Sequence, residues 1–184
     1  QEDIARLVLL QVAGMLLITF FSLGLEQSYV REYNEYEDKS DLAKSCFTPG
    51  FFVLAVVSFV ILFFQESVSL LIFGKYDVWL FSFFLFSVFI LFSERFFSVF
   101  LRMQELVVGY AVTRVLPKLF LLGLALIAFF HETLANLNFL IVAQVISWFS
   151  AVFIMALSLR KTPFAFVSAK VTADKVKSLL HFGI

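Results

Sequence analysis

Tyr110, Arg114 and Lys118 recur at intervals of four, so on a helix they share one face, and two of the three are cations. They lie in an otherwise apolar stretch beside Pro117, which would kink the helix and free a backbone carbonyl. A polar stripe at a kink can line a water-filled cavity. The plainer reading is that the cations snorkel toward anionic headgroups. Glu94-Arg95 is a second charged point, with Arg102 seven residues beyond Arg95 on a similar face. Glu94 has Arg95, Arg102 and Lys118 as candidate partners, and a charge pair closing a helix bundle at the interface is the plainer reading. Gln27 and Arg31 form a third set, spaced i, i+4, amid Tyr29, Tyr33 and Tyr36. They could meet an anionic headgroup, and an aromatic interfacial belt with solvated charges explains them equally well.

Enzyme signatures are missing from the sequence. Gly74-Lys75 is followed by Tyr76, so no phosphate-cradling loop is present, and His131-Glu132 lacks the second histidine of a zinc protease helix. There is no G-x-S-x-G elbow. His131 and His181 fall on different segments and read as interfacial residues. The one cysteine, Cys46, excludes an internal disulfide framework and a cysteine-based zinc site. No catalytic residue, metal ligand or cofactor is expected.

The elements that position these side chains follow from composition. Of the 184 residues, 61% are apolar and only 15% charged, and Phe occurs 27 times. A soluble domain is nearer 45–50% apolar and about 25% charged, and a core of this size could not hide so much apolar surface from water. The 14 basic and 14 acidic residues balance, so bulk charge does not point to nucleic acid. The class that remains is an all-α polytopic membrane protein. A spanning helix needs about 20 mostly apolar residues, and five stretches qualify, at about 4–25, 46–73, 78–100, 106–130 and 137–159. The second crosses a polar break at Gln65-Glu66. In the fourth, the 12 apolar residues Leu119–Phe130 span only about 18 Å, so Arg114, Pro117 and Lys118 must lie within it. The Phe-rich runs Phe81–Phe92 and Phe96–Phe100 read as lipid-facing and packing surface. Asp38 with Asp41 resembles a weak capping box opening the second span.

Acidic Glu2 and Asp3 precede the first stretch, which argues against a signal peptide. With Gln1 at the start and residues 172–184 reading as the opening of a further helix, the chain reads as a single transmembrane domain, 1–184, that is a fragment of a longer protein. Lys and Arg accumulate on the cytoplasmic side. Twelve of the 14 fall on one set of links and adjoining span ends, and only Arg6 and Lys75 on the other. Residues 26–45, 101–105 and 160–177 are therefore expected in the cytoplasm.

The segment SLGLEQSYVREYNE after a span, ERFFSVFLRMQELVVGYAVTRVLPKL across a turn, and a basic link ending LLHFGI together resemble bacterial polysaccharide biosynthesis membrane proteins. These are the O-antigen-type flippases of the multidrug/oligosaccharidyl-lipid/polysaccharide exporter superfamily. The resemblance implies a partial N-terminal lobe of a two-lobe flippase in the bacterial inner membrane, missing its first helix. It implies alternating access that carries a lipid-linked oligosaccharide, with an apolar prenyl tail and an anionic diphosphate, from the inner to the outer leaflet. Polysaccharide polymerase and chain-length proteins are further partners it implies. Its cavity candidates are Arg31, Arg95, Arg114 and Lys118, with Gln27 and Tyr110 as polar helpers and Glu94 as the acid to test for ion coupling. The alternatives are a multidrug or peptidoglycan-precursor exporter of the same superfamily, or a structural membrane subunit with no transport role.

Overall fold

The computed structural model describes residues 2–22, 24–130 and 137–160. These residues form seven helices: α1 (Glu2–Phe21), α2 (Leu25–Glu32), α3 (Lys39–Leu62), α4 (Gln65–Phe73), α5 (Val78–Met103), α6 (Val107–Phe130) and α7 (Leu137–Arg160). Four of them, α3, α5, α6 and α7, are long and apolar enough to cross a bilayer, and the bent pair α1–α2 makes up to five. The chain is thus an all-α polytopic membrane protein. His131, Asn136 and the basic segment 161–184 lie outside the described residues, as does the expected helix opening at 172–184.

Two expected boundaries are corrected by breaks. The first span does not run straight to Leu25. Gly24 adopts a left-handed φ of 66°, which an L side chain would resist, and the axis turns by 55° between α1 and α2. The charged link 26–45 is mostly helical, in keeping with the i, i+4 spacing of Gln27 and Arg31, with only 33–38 between α2 and α3. The expected span 46–73 is two helices: α3 starts earlier, at Lys39, and stops at Leu62, and α4 follows after Phe63-Phe64.

Local chemistry explains where the helices start and stop. Asp38 caps α3, its Oδ1 accepting from the amides of Ser40 at 2.9 Å and Asp41 at 3.2 Å. Lys39 Nζ donates back to the carbonyls of Tyr33 and Tyr36 and lies 4.8 Å from the centre of the Tyr33 ring, tying off the α2–α3 turn. Burial and the nearby Glu105 carboxylate push the Tyr33 phenol up, so the ring stays neutral under that cation. Gly74, at φ 68°, ends α4, and Asp77 opens α5 by accepting from the amides of Trp79 and Leu80. Ser69 fastens this turn, donating to the Lys75 carbonyl and accepting from the Asp77 amide. The α5–α6 turn is a Schellman motif: the amide of Leu106 reaches the carbonyl of Leu101, and that of Glu105 reaches Arg102. Glu105 occupies its left-handed position at φ 57°.

α5 is the axis of the bundle. It touches each of the other six helices, and 61% of its apolar window is buried against 11% for α6. Its phenylalanines do most of the packing: Phe81, Phe84, Phe92, Phe96 and Phe100 are fully covered, and Phe47 of α3 meets Phe92, Phe96 and Phe97. Elsewhere large apolar side chains point outward, Trp79 at 77% and Phe63 at 75% exposure among them. In water these would form an aggregation surface; in hydrocarbon they carry no such cost.

Polar side chains join helices where lipid cannot. Gln11 of α1 donates through Nε2 to Gln144 Oε1 of α7 at 3.2 Å, and Ser147 of α7 donates to the Pro117 carbonyl of α6 at 2.6 Å. α6 stays one helix through Pro117, with Ser147 bolted against it.

Candidate functional site

Neighbouring residues on a helix point about 100° apart. Glu94 and Arg95 of α5 accordingly reach different neighbours, and both line a pocket of about 260 Å³. Its walls are Met15, Ile18 and Thr19 from α1, Leu91, Glu94, Arg95 and Ser98 from α5, and Arg114 from α6.

Arg95 reaches toward the α1–α2 bend. Its Nε donates to Glu26 Oε2 at 2.5 Å, its Nη2 to Glu26 Oε1, and its Nη1 to Thr19 Oγ1 at 3.1 Å. This is a two-pronged, charge-assisted contact. Gly24 makes it possible: the bend turns the first residues of α2 inward, so Glu26 is only 5% exposed against α5. Sequence reasoning left Glu26 in a charged link, yet it is a buried acid in a two-pronged ion pair with Arg95. Its one signal was an acidic residue two positions after a glycine at the end of an apolar run.

Glu94 reaches the other way. Its Oε1 accepts from Arg114 Nη1 at 2.8 Å, in place of the expected partners Arg95, Arg102 or Lys118. The reason is register. α5 and α6 leave one tight turn antiparallel, and Glu94 and Arg114 lie ten residues either side of Gln104. Both therefore sit about 10–15 Å along their helices from that turn. The Arg114 guanidinium carbon lies 5.3 Å from the centre of the Tyr110 ring, one turn earlier, which bears out the shared face.

The remaining candidates lie elsewhere. Lys118 is exposed on α6, one turn past Arg114, and does not line the pocket. Gln27 and Arg31 do share a face of α2, the exposed one, away from the pocket. The structure thus gathers Glu94, Arg95 and Arg114, with Tyr110 stacked beneath, adds Glu26 and Thr19, and leaves Gln27, Arg31 and Lys118 on the surface. Among the described residues no three His, Cys, Asp or Glu side chains converge as metal ligands would.

Fold and site define a multi-pass helical membrane protein with a charged pocket between three of its helices. No family model, curated protein or solved structure matches the chain.

Proposed function

We propose that these helices belong to a bacterial inner-membrane transporter that moves a lipid-linked oligosaccharide between leaflets by alternating access. The observation that carries this reading is the open pocket that Arg95 and Arg114 line between helices of an apolar bundle. Charges within membrane helices are costly and mark ion or substrate paths more often than they serve packing. A prenyl-linked cargo suits such a site, because its tail stays in lipid while its diphosphate and sugars need a wet, cationic route. The break at Gly24 supports the same reading, since discontinuous helices border the binding sites of many secondary transporters.

The test is a comparison of two cations one turn apart. Arg114→Ala removes a pocket wall, and Lys118→Ala does not. In cells whose only copy carries Arg114→Ala, surface polysaccharide should be lost at unchanged protein level, and Lys118→Ala should retain most of it. Full polysaccharide with Arg114→Ala would refute the reading.

A further inference from the structure

Of the four long spanning helices, α6 is the least covered: 11% of its apolar window is buried, against 28% for α3, 39% for α7 and 61% for α5. Its covered side holds Thr113 and Pro117, where Ser147 of α7 is seated. The opposite side carries Ala111, Val115, Lys118, Leu122 and Ala125, all exposed and spaced four, three, four, three. That alternation is the seam along which two helices pack. Each step of four residues also turns about 40° around the helix axis. Arg114 therefore looks toward the pocket, and Lys118, one step on, has swung to this outer seam.

Lys118 is out of place on a seam that faces lipid. It stands midway along the 24 residues of α6, about 17 Å from one end and about 18 Å from the other. That is mid-depth in a hydrocarbon layer about 30 Å thick, farther from either surface than a four-carbon stem extends. Among the described residues Lys118 meets no acid, and its seam neighbours are apolar, so neither a counter-ion nor a wet cavity relieves it. Ionisable groups at that depth pair with one another or with other polar groups of protein. We propose that the outer seam of α6 seats another membrane helix, one that carries a carboxylate at mid-depth to pair with Lys118. A second copy of this chain is the wrong occupant by charge. Its described spans offer Glu94, already paired with Arg114, and Glu26, buried against Arg95; the other described acids sit at helix ends or in turns. Two copies meeting on this seam would set one Lys118 near the other. The occupant is therefore a different helix, apolar with a central acid. Lys118 does not line the pocket, so this contact concerns assembly and stands or falls apart from the transport reading.

The experiment places the full chain, labelled with a donor dye, in phosphatidylcholine liposomes. Acceptor-labelled Leu-Ala helices of about 22 residues, long enough to span, are titrated in with Asp, Leu or Lys at the centre, and energy transfer reads the binding. The wild type should bind the Asp helix about tenfold tighter than the Leu helix. Lys118→Leu should abolish that preference, and Lys118→Glu should transfer it to the Lys helix. Ala125→Phe, which sets a ring on the seam, should weaken the Asp helix severalfold. These positions are exposed, so melting curves of the variants should match the wild type. Equal binding of the Asp and Leu helices by the wild type, or a preference that survives Lys118→Leu, overturns the proposal and leaves Lys118 a headgroup anchor. Energy transfer between differently labelled copies of the chain, removed by Ala125→Phe, gives the seam to a second copy and overturns it as well.

Discussion

At the scale of single residues, the Glu26–Arg95 pair is where the molecule is least forgiving. A buried ion pair adds little net stability over an apolar pair of the same shape, but removing one partner strands the other. Arg95→Ala leaves Glu26 facing α5 with no guanidinium, and Thr19 loses its donor as well. We expect a loss of about 3 kcal/mol, read by thermal melting or steric trapping in bicelles. Arg95→Ala with Glu26→Leu should recover much of it, because the stranded charge is gone. The same logic shows what a linear sequence hides. Glu94–Arg114 could be read from equal distances to a turn, since helical hairpins pair residues by register. Glu26–Arg95 joins residues 69 apart through a bend, and no local spacing encodes it.

At the scale of elements, close approach decides which helices can cross. Gly50 of α3 sits where α1 and α5 converge. A Cβ there would lie 2.8 Å from the Phe21 carbonyl oxygen and 2.9 Å from Phe92 Cζ. The oxygen is backbone at the end of α1 and cannot step aside. Gly50→Ala should therefore force α3 away from the α1–α2 bend, at a cost of about 1–3 kcal/mol in a melting experiment. Gly123→Ala is the control, since nothing lies within 4 Å of the added carbon. Helix existence was legible in the sequence because a bilayer demands long apolar runs, and the Asp38 cap was legible because its chemistry is local. The polar pair Gln65-Glu66 marked the α3–α4 break to within a few residues, whereas the bend after Phe21 turns on the backbone conformation of Gly24, which composition does not reveal. Gln11 and Gln144 are lone polar side chains in apolar runs, a signature of interhelical hydrogen bonding that went unread in the sequence.

At the scale of the whole molecule, the orientation rests on the uneven spread of Lys and Arg. Tyr76 lies in the α4–α5 turn, half exposed, on the side expected to face out of the cell. The natural thiol is buried at Cys46 and is removed as Cys46→Ser for a clean background. Tyr76→Cys should then react with an impermeant thiol reagent added to intact cells. Labelling that appears only after lysis would invert the topology and place the pocket's nearer end outside.

The hydrogen bond between Gln11 and Gln144 joins residues 133 positions apart. At 5–20 residues per second, a ribosome takes roughly 7–27 s to deliver the second amide after the first. For that interval the Gln11 amide lacks the partner it has in the folded bundle. Nascent chains arrested before α7 emerges should therefore hold α1 less firmly than the full chain, which protease protection of arrested and released chains would read.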